Sequence, residues 1–265
     1  MASDFTADDG TRFRYEVRGA GPTVLFFHAF PLGMWIYDAQ VAALEKTHRT
    51  VRFDARGFGG TPPGDGPLSM EKIADDGVAL LDELGLGQAI VVGCSMGGYV
   101  ALAMARKHRD RVRGLVLLDT RATPDTPEGR AGRSALADRA RKEGSGAVAE
   151  KFLATLTGPT TRRERPEIQE KLAASILSNP PAGLANALLG MGARADSRPE
   201  LRAIHVPTLI VCGEEDMVTP PADSKAMAES IPDSTLVLVP RAGHLANLED
   251  PEAVNAALLA FLAGC

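Results

Sequence analysis

The hydrophobic positions of the chain fall into short apolar runs that are separated by stretches with a helical period. The runs are continuous rather than alternating, which is typical of strands that are covered on both faces. Seven of them predict strands, at residues 13–18, 23–27, 50–53, 89–93, 112–118, 208–213 and 235–239.

Helical patterns fill the gaps between several of these runs. The clearest predicted helices span residues 70–84, 99–107 and 251–262. Ser69 stands where an N-cap is expected, and Pro251 stands at a first-turn position. Alternating strands and helices predict an α/β fold with a mostly parallel, doubly wound sheet and helices on both of its faces.

One long region breaks this alternation. Between Asp119 and Val206 no strand pattern occurs, whereas helical patches recur and Pro and Gly separate them. These patches lie at residues 133–142, 148–156, 168–177 and 184–189. We therefore expect residues 121–203 to form a helical cap inserted between two strands of a core domain that comprises residues 1–120 and 204–265.

Composition excludes several classes of protein. The formal net charge of −5 comes without long blocks of like charge, so nucleic-acid binding is not expected. No apolar run approaches the length of a membrane span, and the first residues lack a signal-peptide pattern, so a cytoplasmic protein is expected. The partners expected are a small-molecule acyl substrate and water, and the sequence does not indicate an oligomeric state.

The cysteines and glycines give no sign of a cofactor. Cys94 and Cys212 lie in apolar runs, Cys265 is the last residue, and no two cysteines form a C-x-x-C pair. The chain lacks the G-x-G-x-x-G and G-K-[ST] phosphate-binding patterns, and its acidic residues lack the spacing of a metal cage. We therefore expect neither a metal nor an organic cofactor.

The sharpest chemical signal is the G-x-S-x-G pattern around Ser95, between the run at 89–93 and a helical pattern. A sharp strand-to-helix turn strains the serine backbone and requires small neighbours, which Gly93 and Gly97 supply. The turn lifts the hydroxyl clear of the sheet and places it at a helix N-terminus. Ser95 is the predicted nucleophile.

A nucleophilic serine needs a base, and His244 is the best placed of the five histidines. It follows the last predicted strand, so its loop points to the same edge as Ser95. His48 and His108 lie in charged surroundings, and His205 precedes a strand at the opposite edge. His28 is interpreted as a residue that braces its loop.

The base in turn needs a carboxylate to orient it. Residues 213–216 follow a predicted strand and offer three acids, of which Asp216 is preferred. Asp119, at the end of the preceding core strand, is the alternative. The order Ser, Asp, His along the chain is the one expected for a G-x-S-x-G hydrolase.

Two backbone amides are predicted to stabilise the anion that forms during the reaction. The N–H group of Met96 follows the nucleophile directly, and the loop after the strand at 23–27 offers the N–H group of Phe30. Together they are the predicted oxyanion hole.

These motifs together resemble the α/β-hydrolase superfamily over essentially the whole chain. Ala29 stands where the family's H-G-x-P oxyanion loop usually has Gly. The matching segments are the oxyanion loop at 28–31, the D-x-R-G-x-G loop at 54–59, the nucleophile elbow at 93–98, the acid turn at 213–216 and the histidine loop at 243–244. The resemblance also implies that the helical insertion closes over the pocket as a cap.

The resemblance implies a serine hydrolase that cleaves a carboxylic ester or a small lactone. A serine at position 95 argues against the dehalogenases and epoxide hydrolases of this fold, which use Asp there. Carbon–carbon bond hydrolysis, cofactor-free perhydrolysis and a non-enzymatic ligand receptor or scaffold remain alternatives. The residues expected to line the pocket are Phe30, Trp35, Met96 and Leu245, with Phe152, Leu156 and Leu188 from the insertion.

Overall fold

The computed structural model describes residues 3–265 and places eight strands of this range in one sheet. Every residue of the third, fifth and seventh strands is buried, as their continuous apolar runs predict. The strands are β1 (Ser3–Thr6), β2 (Arg12–Arg18), β3 (Thr23–Phe27), β4 (Arg49–Phe53), β5 (Ala89–Cys94), β6 (Val112–Leu118), β7 (Thr208–Gly213) and β8 (Ser234–Val239).

The strand order is β1-β2-β4-β3-β5-β6-β7-β8. Neighbours from β4 to β8 are parallel, whereas β2 pairs antiparallel with both β1 and β4. Because parallel strands end at the same edge of a sheet, the loops that follow β3, β5, β6, β7 and β8 lie together at their carboxyl ends.

Eleven α-helices connect and cover these strands within residues 3–265. They are α1 (Asp38–Leu44), α2 (Met70–Glu83), α3 (Met96–Lys107), α4 (Pro127–Glu143), α5 (Gly146–Phe152), α6 (Pro159–Glu164), α7 (Pro166–Ser178), α8 (Pro181–Gly192), α9 (Pro221–Ser230), α10 (Ala246–Glu249) and α11 (Pro251–Leu262). The predicted cap of α2 is confirmed, since Ser69 Oγ accepts the Lys72 N–H at 3.1 Å. None of the helices in this range is both long and apolar enough to cross a bilayer.

The predicted α/β architecture is confirmed, and all seven predicted strands occur within one residue of their expected bounds. The short strand β1 and the helices α1, α6, α9 and α10 were not predicted. In β1 only Phe5 is buried, so the sequence has no apolar run at this strand. The strand is defined by its antiparallel pairing with β2. Helix α3 begins at Met96, three residues before the predicted start at residue 99.

Helices α4 to α8 lie between β6 and β7 in the chain, and they contact the loops after β3 and β4. Asn179 Nδ2 donates to the Pro31 carbonyl at 2.8 Å, and Asn179 Oδ1 accepts the Gly59 N–H at 2.9 Å. The inserted helices therefore pack against the edge where the strand-end loops gather. The division into a core at 1–120 and 204–265 and a cap at 121–203 stays a prediction.

Candidate active site

The turn from β5 to α3 holds Ser95 in a strained backbone conformation, with φ 53° and ψ −111°. A Cβ on Gly93 would lie 2.1 Å from the Gly97 carbonyl oxygen, and a Cβ on Gly97 would lie 1.9 Å from that of Phe27. Both glycines are therefore required by close backbone approach. The turn has the form that the G-x-S-x-G pattern predicts.

Neighbouring strands keep this turn in place. The Ser95 N–H donates to the Leu118 carbonyl at 2.9 Å, and Thr120 Oγ1 donates to the Ser95 carbonyl at 2.8 Å. Both partners belong to β6 or to the loop that follows it. Hydrogen bonds to the end of the adjacent strand therefore hold Ser95 in its strained backbone conformation.

The side chain of Ser95 lies in a line with His244 and Asp216. His244 Nε2 is 2.7 Å from Ser95 Oγ, and His244 Nδ1 is 2.9 Å from Asp216 Oδ2. With its proton on Nδ1, the ring donates to the carboxylate and accepts from the serine hydroxyl. The structure therefore brings together the three residues that the sequence predicts as nucleophile, base and acid.

The loop after β7 fixes the Asp216 carboxylate. Asp216 Oδ1 accepts the N–H groups of Val218 and Thr219 at 2.8 and 3.0 Å, and Oδ2 accepts the Thr219 hydroxyl at 2.7 Å. The same hydroxyl lies 3.3 Å from His244 Nδ1. The sequence analysis did not identify Thr219 as a partner of Asp216. An acidic residue at the start of a turn is nevertheless a known signal for hydrogen bonds to the backbone that follows it.

Burial and charge act in opposite directions on this pair. Burial lowers the pKa of His244, but the Asp216 charge and hydrogen bond outweigh it and leave that pKa above its ordinary value. Burial raises the pKa of Asp216, but His244 and the Thr219 bonds outweigh it and leave that pKa low. The ionised carboxylate therefore stabilises the charged form of the imidazole whenever His244 takes a proton.

Asp119, the alternative acid, has another place in the site. One of its oxygens accepts the Gly213 N–H at 2.9 Å and the other accepts the Ala246 N–H at 3.0 Å. Burial, followed by the nearby charge of Asp216, raises the pKa of Asp119 to about 8. Asp119 thus joins the loop that carries Asp216 to the loop that carries His244.

The two predicted oxyanion donors lie at the ends of β3 and β5. Met96 is the first residue of α3, and Phe30 lies in the loop after β3. Neither N–H group donates a hydrogen bond to another group of residues 3–265. His28 braces the loop as expected, since its Nε2 accepts the Ala55 N–H at 3.0 Å and its Nδ1 donates to the Ala29 carbonyl at 3.0 Å.

A cavity of about 460 Å³ lies among the inserted helices and the loop after β6. Phe152 and Leu188, two of the expected pocket residues, line it together with Leu136 and Arg121. The Phe152 ring meets the Phe30 ring edge to face at 5.4 Å, so one wall residue of the cavity contacts the loop that carries the predicted oxyanion donor.

Other residues expected at the pocket lie away from this cavity. The Trp35 indole N–H donates to Ser175 Oγ at 2.9 Å, and Lys171 Nζ stands 4.2 Å from its ring centroid. Trp35 thus packs against α7, because that helix occupies its polar edge and one face. Met96, Leu156 and Leu245 are buried and do not line this cavity, and their contact with substrate stays a prediction.

A profile of the alpha/beta hydrolase fold matches residues 22–251, which is most of the chain. This chain belongs to the α/β-hydrolase fold family. The match spans the nucleophile elbow, the acid turn and the histidine loop, and it confirms the resemblance found in the sequence. The protein is accordingly a member of a hydrolase family.

Solved and curated relatives of this α/β hydrolase include esterases and lactonases. A thermophilic esterase from Thermogutta terrifontis, solved with malate bound, is 42% identical, with a TM-score of 0.96 and coverage of 100% of this chain and 98% of that one. The 3-oxoadipate enol-lactonase 2 of Acinetobacter baylyi is 29% identical over 91% of this chain and 88% of its own. A non-heme haloperoxidase of Rhodococcus erythropolis is 30% identical over 97% of this chain and 98% of its own.

Three potential metal ligands of this α/β hydrolase, Asp119, Cys212 and Asp216, lie within 4.8 Å of one another. Their donor atoms already have other partners. Asp216 binds His244 and the Thr219 loop, Asp119 binds two backbone amides, and burial raises the pKa of the Cys212 thiol. A metal would have to break the His244–Asp216 bond, so this group fits a hydrogen-bond network better than a metal site.

Glu249 is a second buried residue that sequence reasoning missed. Its carboxylate accepts the Leu245 N–H at 3.1 Å and the Gly158 N–H at 2.8 Å. It therefore ties the histidine loop of this α/β hydrolase to the inserted helices. No local pattern identifies it, because Gly158 is distant in the chain.

Proposed function

We propose that this α/β hydrolase is a serine hydrolase that cleaves a carboxylic ester or a small lactone through an acyl-enzyme. The observation that carries the proposal is the line of contacts from Asp216 through His244 to Ser95, at 2.9 and 2.7 Å. All three groups are buried at the strand-end edge, where a hydroxyl and a neutral imidazole can exchange a proton.

Acylation begins when Ser95 Oγ attacks the acyl carbon and His244 Nε2 takes its proton. Negative charge develops on the carbonyl oxygen, where the free N–H groups of Met96 and Phe30 would stabilise it. His244 then gives the proton to the leaving alkoxide, and the acyl group remains on Ser95. Asp216 holds the ring and stabilises its charged form.

Deacylation repeats these steps with water as the nucleophile. His244 takes a proton from water as the water oxygen attacks the acyl carbon. When the intermediate collapses, His244 returns the proton to Ser95 Oγ and the acid is released. In a lactone the leaving alkoxide stays attached to the acyl chain, so the product is one hydroxy acid.

The relatives support ester or lactone bonds as the bonds cleaved, and they favour one second candidate reaction. An esterase and an enol-lactonase are among them, which favours ester and lactone substrates. The haloperoxidase relative favours perhydrolysis as the second candidate, in which hydrogen peroxide replaces water and the acyl group leaves as a peracid. Both reactions use the same acyl-enzyme.

The test is hydrolysis of p-nitrophenyl esters from acetate to decanoate by the wild type and by Ser95→Ala. We expect turnover by the wild type and a loss of kcat on the order of 10,000- to 1,000,000-fold in the variant. A fluorophosphonate should label the wild type and leave Ser95→Ala unlabelled. Ser178→Ala, at an exposed serine of α7, is the matched control and should label normally.

Retained esterase activity or labelling in Ser95→Ala would contradict the proposal. The second candidate is tested by adding hydrogen peroxide and bromide to an acetate buffer, in which the peracid would oxidise bromide to hypobromite, and following the bromination of monochlorodimedone. A faster halogenation with the wild type than with Ser95→Ala would establish the peracid reaction beside the hydrolytic one.

A further inference from the structure

The cavity among the inserted helices borders a cluster with more cations than anions. Arg121, Arg133 and Arg194 all contact a single buried carboxylate, that of Asp125. Asp223 is a second acid that acts on Arg121 by its charge. Three guanidinium groups therefore share two carboxylates, and the cluster keeps an excess of positive charge.

Arg121 is the least satisfied member of this cluster. Its Nη2 donates to Asp125 Oδ1 at a long 3.3 Å, and its buried Nε donates no hydrogen bond to any group of residues 3–265. By contrast, Arg194 makes three bonds of 2.8 Å, to Asp125 Oδ1 and to the carbonyls of Met191 and Thr123. The Tyr99 hydroxyl oxygen accepts a hydrogen bond from Arg121 as well. A buried donor without an acceptor is costly, so Arg121 is held by its neighbours less favourably than Arg194 is.

The position of Arg121 connects the cluster to the nucleophile. It follows Thr120, whose hydroxyl donates to the Ser95 carbonyl, and its side chain lines the 460 Å³ cavity. Phe152 lines the same cavity and packs against Phe30. The cavity thus offers apolar walls near the candidate oxyanion loop and a guanidinium group beside them.

We infer that the substrate carries a carboxylate separate from the bond that is cleaved, and that Arg121 binds this carboxylate. The planar guanidinium matches two carboxylate oxygens, and the part of the 27% exposed Arg121 side chain that faces the cavity would donate to them. The carbon chain between carboxylate and ester would lie against Phe152 and Leu188. This inference rests on the proposed function, because it assigns the substrate class of the same site.

Two pairs of esters test the inference, with acid release followed in a pH-stat. Monoethyl adipate against ethyl hexanoate places the carboxylate on the acid side, and 4-acetoxybutanoate against butyl acetate places it on the alcohol side. In at least one pair, we expect the wild-type kcat/KM to be about 10- to 100-fold higher for the charged ester. Arg121→Gln should lower that charged-to-neutral ratio by a similar factor.

Two further variants separate recognition by Arg121 from general charge and from structural damage. Arg139 lines the same cavity but is held by Glu143 and Glu150 at 3.0 and 2.9 Å, so Arg139→Gln should keep the ratio within about threefold. Arg121→Lys keeps the charge without the planar fork, and an intermediate ratio is expected.

Several outcomes overturn the inference. Turnover of the neutral esters with no preference in either pair would overturn it and leave the proposed function intact. An equal fall for both members of a pair in Arg121→Gln would show that Arg121 has only a structural role. No turnover of any of the four esters would overturn this inference, and a lack of p-nitrophenyl ester hydrolysis and of fluorophosphonate labelling besides would overturn the proposed function with it.

Discussion

At the scale of single residues, the Asp216–His244 pair makes activity depend on pH. Only the neutral imidazole accepts the Ser95 proton, so kcat/KM should fall as pH falls through the raised pKa of His244. Asp216→Asn removes the charge that raises this pKa most, while burial, which lowers it, remains. We expect the acid limb of the profile to move to lower pH and kcat/KM to fall on the order of 10,000-fold, as it does in another serine hydrolase.

The measurement is kcat/KM for p-nitrophenyl butyrate across the pH range in which a histidine titrates. Glu215→Gln is the matched control, because Glu215 neighbours Asp216 but binds the backbone and hydroxyl of Thr160 at 2.9 and 2.6 Å. Its acid limb should stay in place. An acid limb that does not move in Asp216→Asn would exclude Asp216 as the partner of the base.

Asp119 provides a second prediction at this scale, one about stability. Asp119→Asn keeps one acceptor oxygen but presents an amide NH₂ group to the other backbone N–H, so a bond to Gly213 or Ala246 is lost. We expect the free energy of unfolding at acidic pH to fall by about 1–3 kcal/mol. Urea unfolding of the wild type and the variant measures this difference.

The same pair of proteins should respond differently to pH. The folded wild type keeps the Asp119 proton up to about pH 8, whereas the unfolded chain releases it near the ordinary carboxyl value. The proton-linked stability is therefore present in acid and is lost as pH rises through this window. We expect the gap in unfolding free energy to shrink between about pH 5 and pH 8, and a constant gap would contradict a raised pKa.

At the scale of elements, Gly57 and Gly183 set how closely α8 approaches the loop after β4. A Cβ on Gly183 would lie 2.2 Å from the Gly57 carbonyl oxygen, and Gly57 itself has a φ of 82°. Since the contact is backbone to backbone, neither side can yield by a change of side-chain rotamer. The two glycines permit the inserted helices to pack on the core.

Gly183→Ala should therefore push α8 away from the core and destabilise the protein by about 1–3 kcal/mol. Thermal and urea unfolding measure the effect. Gly132→Ala is the matched control, because Gly132 lies within α4 with nothing within 4 Å of an added Cβ, and this change should stabilise the protein by about 0.5–1 kcal/mol. Equal stability of the two variants would mean that α8 adjusts without strain.

At the scale of the whole molecule, the site exists because five strand ends meet at one edge. The loops after β3, β5, β6, β7 and β8 bring Phe30, Ser95, Asp119, Asp216 and His244 together from distant parts of the chain. Ser95 and His244 are 149 positions apart in the sequence. Parallel pairing makes these ends coincide, so the sheet is what converts scattered residues into one site.

The sequence by itself determined the features that depend on local chemistry. Continuous apolar runs marked the buried strands, and the glycines around Ser95 marked the elbow, because a tight turn tolerates no Cβ at these positions. The chain order of Ser95, Asp216 and His244, each after a predicted strand, makes them candidates for one site.

The tertiary structure decided what depends on contacts between distant segments. It placed Asp216 against His244 and gave Asp119 the backbone amides of two loops, a choice that two acids at equivalent strand ends leave open. It turned Trp35 toward α7, and it left the Nε of Arg121 without an acceptor. Local pattern cannot encode these outcomes, because the packing of the inserted helices against the core determines which polar groups find a partner.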